Sequence, residues 1–263
     1  MELKRIDIGV NLMGKQFNSD REKIVEQSLT NGTGLIITGT DLYSSEKAIE
    51  FIRKHNYKNV WCTVGCHPHN AKELDDSYLA DLHKLIRDNK DIVVAVGECG
   101  LDYDRMFSTA DLQLDAFKGL IKKAEKFNLP LFLHERSAED AFVKIMKGHR
   151  PLCRNSVVHC FTGDKNTVYR YLQMGFMIGI TGWICDNRRN KDLIEALKII
   201  PLERLLVETD APYLTPLGLN LDKRNIPNNI IYVIDKIAQI KGVSYEEIEK
   251  HTLENTKKLF NID

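Results

Sequence analysis

Two hundred and sixty-three residues, 43% hydrophobic and 28% charged with 16 Gly and 7 Pro, hold enough apolar material for a sizeable core and exclude disorder and collagen. Thirty-seven Lys and Arg balance thirty-seven Asp and Glu, so no global positive field can hold a long duplex, and any nucleic-acid contact must be local. No run approaches the roughly 20 apolar residues of a spanning helix, MELKRIDIGVNL does not read as a signal peptide, and the six cysteines lie mostly in apolar runs, which predicts a soluble, cytoplasmic protein with reduced thiols.

In chain order, apolar and β-branched runs recur: KRIDIGV from Lys4, GLIITGT from Gly34, VWCTVGCHP from Val60, IVVAVGECGLD from Ile92, LPLFLHER from Leu129, SVVHCFTG from Ser156, FMIGITGW from Phe176 and LLVETDAPYL from Leu205. Each reads as a strand. The spacers are helix-like, as where Leu112, Leu114, Phe117, Leu120, Ile121, Ala124 and Phe127 recur at three and four spacing before Pro130. The tail from Ile226 to Asp263 predicts two more helices, and SYEE at Ser244 to Glu247 resembles a capping box. Runs that are nearly all apolar suit a parallel sheet covered on both faces, and eight such units predict an α/β chain folded as one (β/α)8 TIM barrel, a single domain over residues 1–263. The competing open doubly wound sheet would more often carry a Gly-rich first loop, and DIGVNL is not G-x-G-x-x-G.

Polar chemistry collects at the C-terminal ends of these strands: Asp7 and Asn11, His67 and His69, Glu98 and Asp102, His134 and Arg136, His159, Thr181, and Glu208 with Asp210. In a β/α barrel those ends converge on the face where active sites are built. Strand parity turns Cys66, Cys99 and Cys160 away from that face, so these thiols are expected to pack against helices. Glu98, His134, His159 and Asp210 then offer two imidazoles and two carboxylates from four strands, a set able to hold a divalent cation with positions left for water and substrate. His55, His83, His149 and His251 fall in helix or loop contexts and are expected to be structural or solvent-facing. Glu208 lies one layer deeper than Asp210, where it either orients a ligand or water or belongs to a buried ion pair. His67 and His69 flank a proline and suit a second cation or a phosphate as well as an ordinary loop.

With these residues in view, the sequence resembles, over essentially its whole length, the TatD family of metal-dependent deoxyribonucleases, within the larger superfamily of metal-dependent hydrolase barrels. The resemblance rests on DIGVNL at Asp7, GCHPH at Gly65, VGECGLD at Val96, LHER at Leu133, HCFTG at His159, GITGWICDNRR at Gly179 and ETDAPYL at Glu208. It implies 3′ to 5′ exonuclease activity on single-stranded DNA, with RNA as a further substrate and a Mg²⁺-type ion. It carries metal ligation onto Glu98, His134 and His159, and onto Asp210 as ligand, catalytic carboxylate or both. Many relatives begin with an H-x-H pair after the first strand; here those positions read Gly9 and Asn11, so a second ion would depend on water, substrate phosphate and a bridging Glu98. Fewer imidazoles and more oxygen donors favour Mg²⁺ or Mn²⁺, with Zn²⁺ still compatible. The resemblance also suggests roles in DNA repair or in fragmentation of chromosomal DNA, which would need nuclear access in some cells; a monomer is the simplest expectation.

The reaction this predicts is phosphodiester hydrolysis at a cation, with Asp210 taking the proton of the attacking water and Glu208 beside it. His67 or His69 would stabilise charge on phosphate. Arg136, Arg188, Arg189 and Arg224 are candidate phosphate contacts, and Trp183 and Tyr213 could stack on unpaired bases, favouring single strands over duplex. A small-molecule amidohydrolase or lactonase on the same barrel is the competing enzyme, which the loss of H-x-H disfavours. A catalytically inactive binding scaffold ranks last, because Glu98, His134, His159 and Asp210 are all present.

Overall fold

The computed structural model describes residues 2–218 and 221–263. Eight parallel strands, β1 Arg5–Val10, β2 Thr33–Ile37, β3 Val60–Val64, β4 Val93–Asp102, β5 Leu131–Arg136, β6 Val157–Val158, β7 Met177–Ile180 and β8 Leu205–Val207, pair in sequence order. The ring is completed where the chain leaves β8: Asp210 N donates to Gly9 O (2.9 Å), and Asn11 N to Ala211 O (2.8 Å). This is the expected α/β barrel, and each of the eight apolar runs coincides with one strand, β2 beginning one residue ahead of its run.

The crossovers are α1 Arg21–Thr30, α2 Leu42–His55, α3 Asp76–Asp88, α4 Ala110–Phe127, α5 Glu139–Met146, α6 Arg150–Arg154, α7 Lys165–Met174 and α8 Lys191–Ile199; the tail adds α9 Ile230–Lys241 and α10 Tyr245–Phe260. The first turns of α2, α3, α4, α7 and α10 are set by side-chain caps that satisfy otherwise orphaned amides. Asp41 and Ser44 form a reciprocal capping box on α2, and Asp75, Thr109 and Asp164 accept from helix amides in α3, α4 and α7. At α10 the Ser244 hydroxyl accepts from Glu247 N (3.1 Å). Among the described residues no helix is long and apolar enough to cross a membrane.

Strand alternation divides the apolar residues into two layers. On β2, Leu35 and Ile37 join the layer between strands and helices, whereas Ile36 points into the barrel. The inner layer is Ile6, Ile8, Ile36, Val94, Ala95, Phe132, Val157, Met177 and Leu206, joined by Phe260 from the end of α10. The lower barrel is therefore filled by apolar side chains, and Glu98, His134, His159 and Asp210 gather at the opposite mouth. Cys62, Cys66, Cys99, Cys153 and Cys185 are free thiols buried in the outer layer, as expected for packing residues. Cys160 differs: its backbone is left-handed (φ 45°), which breaks strand alternation, and it lies on the wall of the mouth.

Phe132 joins the two regions, fully buried in the inner layer with its ring 4.5 Å from that of His159. Phe132→Ala is expected to cost about 3–5 kcal/mol of unfolding free energy, measured by urea titration, because the packed barrel cannot collapse onto the void. An unchanged midpoint would mean that the inner layer is not close-packed.

Candidate active site

The mouth is organised by an irregularity in β4. Gly97 pairs with Phe132 and Cys99 with Leu133, so Glu98 is the extra residue of a bulge, a device that re-aims a side chain. Gly65, just after β3, permits the neighbouring chain to approach: a Cβ there would lie 2.3 Å from the Gly97 carbonyl carbon. That close approach carries His67 up to the bulge.

Three imidazoles converge on the Glu98 carboxylate. Its Oε1 lies 2.8 Å from His159 Nε2, 3.0 Å from His134 Nδ1 and 3.2 Å from His67 Nε2. Burial pushes the Glu98 carboxyl up, but the His67 and His159 charges and the hydrogen bonds from His134 and His159 outweigh it and hold the group well below the usual carboxylate range. Burial opposes charge on His159 and His134 as well; the carboxylates facing them, Glu98 with Glu208 and Asp102 with Glu98, prevail and raise both. His67 goes the other way, lowered by burial despite Glu98. A neutral imidazole is the form that donates a lone pair to a cation.

A second carboxylate holds this set from behind. Asp102 Oδ2 lies 2.8 Å from His69 Nε2 and 3.3 Å from His134 Nε2, and its Oδ1 accepts from the Asp104 and Arg105 amides. Gln113, buried on α4, fixes the Asp102 backbone by accepting from its N (2.8 Å) and donating to its O (2.9 Å). The sequence places Asp102 at the strand end without a role, and Gln113 carries no motif; a Gln on the buried face of the helix that follows the Glu98 strand is the only sign it offers.

Beneath His159 sits Glu208, fully buried, with Oε2 3.3 Å from His159 Nδ1 and Oε1 accepting from Cys160 N. Two glycines make its space. A Cβ at Gly9 would meet Glu208 Oε2 at 2.3 Å, and one at Gly179 would meet Oε1 at 2.6 Å. Asp210, two residues on, has a left-handed backbone (φ 54°) and accepts from Asn11 Nδ2 at 2.8 Å. Burial pushes its carboxyl up to about 7, with His159 drawing it down and Glu98 and Glu208 pushing it further up.

The ligand atoms of His67, Glu98 and His134 all lie within 4.8 Å of one another. Donors around a cation held at about 2.1 Å are spaced roughly 3 Å apart, so the donor set and its spacing fit a divalent ion. Of the residues singled out in the sequence, Glu98, His134 and His159 are brought into contact. Asp210 faces the same cavity beside Asn11, and His67 joins the centre itself.

That cavity encloses about 1360 Å³. Arg136, Trp183, Arg189 and Tyr213 stand on its wall, Arg136 paired with Asp104 at 2.9 Å. Arg224 is not brought there: its two terminal nitrogens bond Asp20 (2.8 and 2.6 Å), and its guanidinium lies over Phe17. Arg188 also stays off the wall, held by Asp186.

Comparison with known proteins places this arrangement. The profile of TatD related DNases matches residues 6–261. A protein of Erwinia amylovora named 3′-5′ ssDNA/RNA exonuclease TatD is 40% identical over 261 residues, covering 97% of this chain and 99% of its own, and one of Klebsiella pneumoniae with the same name is 40% identical over 98% of each. Among solved structures, a TatD family hydrolase of Entamoeba histolytica superposes with a TM-score of 0.90 at 31% identity over 99% of both chains, and a TatD homologue of Escherichia coli with 0.91 at 28% over the whole of both.

Gly9→Ala is expected to destabilise the metal-free protein by about 1–3 kcal/mol, because the new Cβ collides with a carboxylate that has nowhere to retreat. Gly148→Ala, where a Cβ meets nothing within 4 Å, serves as the comparison and should stay within about 0.5 kcal/mol of the parent. Equal urea midpoints for the two variants would show that Glu208 does not fill the space beside Gly9.

Proposed function

The chain belongs to the family of TatD-related DNases, and on that footing we propose that it shortens single-stranded DNA, and RNA, from the 3′ end by hydrolysing phosphodiester bonds. The observation that carries this reading is the meeting of three imidazole nitrogens on one buried carboxylate oxygen at the floor of a large open cavity. The activity named for the bacterial relatives points the same way. The cavity exceeds the roughly 300–1,000 Å³ of a small-molecule pocket, which suits a polymer better than a lactone or amide.

Glu98, His67, His134 and His159 would hold the ion, with Asp210 completing the set from the substrate side. Glu98 and Asp210 supply the oxygen donors that suit Mg²⁺ or Mn²⁺, and the third imidazole, from His67, moves the set toward Mn²⁺ or Zn²⁺. One ion is the reading favoured here, since Gly9 donates nothing, the Glu208 carboxylate fills the space beside it, and the Asn11 amide is committed to Asp210. When bound, the ion supplies positive charge against the phosphodiester and acidifies water beside it.

The chain's own groups do the rest. Asp210, held by Asn11, accepts the proton of the attacking water. Glu208 fixes the His159 ring through Nδ1, as a carboxylate behind a ligating histidine commonly does. His69, tied to Asp102 through Nε2, faces the same cavity, where Arg136 meets the strand along the wall.

Protein stripped by a chelator should leave 5′-labelled single-stranded DNA intact and, once Mg²⁺ or Mn²⁺ is returned, yield a ladder that shortens from the 3′ end. Turnover of amides or lactones alone would overturn the reading. Asp210→Asn should lower kcat by about 10²–10⁴-fold, the range lost with a general base, while the far-ultraviolet spectrum stays that of the parent. Near-normal cleavage would remove Asp210 as the base.

A further inference from the structure

Trp183 stands on the cavity wall, but its exposed face is taken. The Arg189 guanidinium carbon lies 3.5 Å from the ring centroid, in stacking contact. Three further contacts hold the pair. Arg189 Nε bonds Asp186 Oδ2 at 2.7 Å, Trp183 Nε1 donates to Arg189 O at 3.4 Å, and Trp183 N donates to Thr181 Oγ1 at 3.3 Å. Asp186 is buried and is itself fixed by both Arg188 Nε and Nη2 at 2.8 Å. The backbone beneath is equally tight: a Cβ at Gly182 would lie 2.2 Å from Leu214 O, so this loop and the loop bearing Tyr213 press together along one side of the cavity.

A nucleobase approaching this wall therefore meets a guanidinium plane backed by indole, and not the indole itself. To reach the ring it would have to break the cation–π contact and the ion pair to Asp186; to stack on the outer face of Arg189 it breaks neither. The edge of the guanidinium is a poorer place for phosphate, since the Asp186 carboxylate occupies Nε and offsets its charge. We propose that the outer face of Arg189 is the platform on which an unpaired base of the substrate stacks, with Trp183 and Asp186 as the residues that position it. This rests on the nuclease reading and adds to it how a single strand is chosen: a base inside a duplex has no free face to offer, whereas every unpaired base does, whatever its identity.

The test compares Arg189→Lys, which keeps the charge and loses the plane, with the parent enzyme in Mg²⁺. The substrate is an octamer of thymidylate, and the competitor is an octamer of the same length in which every base is replaced by an abasic site. The expected result is a rise of about tenfold in KM for the thymidylate octamer in the variant, with the inhibition constant of the base-free octamer moving less than about twofold. An equal rise for both octamers would make Arg189 a phosphate contact and overturn the proposal, as would an unchanged KM. A parent enzyme that cleaves no single strand, under conditions in which it turns over another substrate, would instead bring down the nuclease reading and this inference with it.

Discussion

One carboxylate oxygen, Glu98 Oε1, governs the mouth of the barrel. An isolated ionised carboxyl removed from water costs several kcal/mol, so a buried glutamate survives only where donors surround it. Here the donors are three rings from three different strand ends, each placed within 3.2 Å. The same feature that satisfies the buried charge assembles the donors a cation needs. Structure and chemistry at this point are one requirement, and the β4 bulge is what allows Glu98 to meet it.

The remainder of the mouth supports that meeting. Asp102 holds His134 and His69, Glu208 holds His159, and Gln113 holds Asp102 from the helix layer. His134 and His159 are each held at both ring nitrogens, so their freedom is largely spent before any ligand arrives. Beneath them Phe132 carries the rigidity of the packed barrel up to His159. Gly9 and Gly179 contribute by what they lack, since only a residue without Cβ leaves room for the Glu208 carboxylate.

On the wall, charge is managed locally. The chain is neutral overall, and most arginines near the mouth are already paired: Arg136 with Asp104, Arg170 with Glu139 and Asp140, Arg188 and Arg189 with Asp186. Such a surface offers a polyanion little long-range attraction, so under the proposed reading a strand would be recognised by shape and stacking at close range. Arg224, equally basic, is drawn off to Asp20 and takes no part in the wall.

Much of this was legible in the residues alone. Eight apolar runs with helical spacers dictate a parallel sheet because parallel strands must be covered on both faces and joined by long crossovers, and eight such units without a Gly-rich first loop favour its closure into a barrel. Polar residues at strand ends then have one face on which to gather, which is why the sequence alone groups Glu98, His134 and His159. What periodicity cannot carry is departure from periodicity. The bulge that makes Glu98 the extra residue, the left-handed turn that brings Cys160 to the wall, and the glycine contact that draws His67 into the centre all break the alternation from which sequence arguments proceed. The fate of each arginine, and the covering of Trp183 by Arg189, were equally hidden, because an ion pair between distant segments depends on where the finished barrel places its loops. Local pattern determined the barrel and the company of its polar residues; only the closed tertiary structure decided which of them touch.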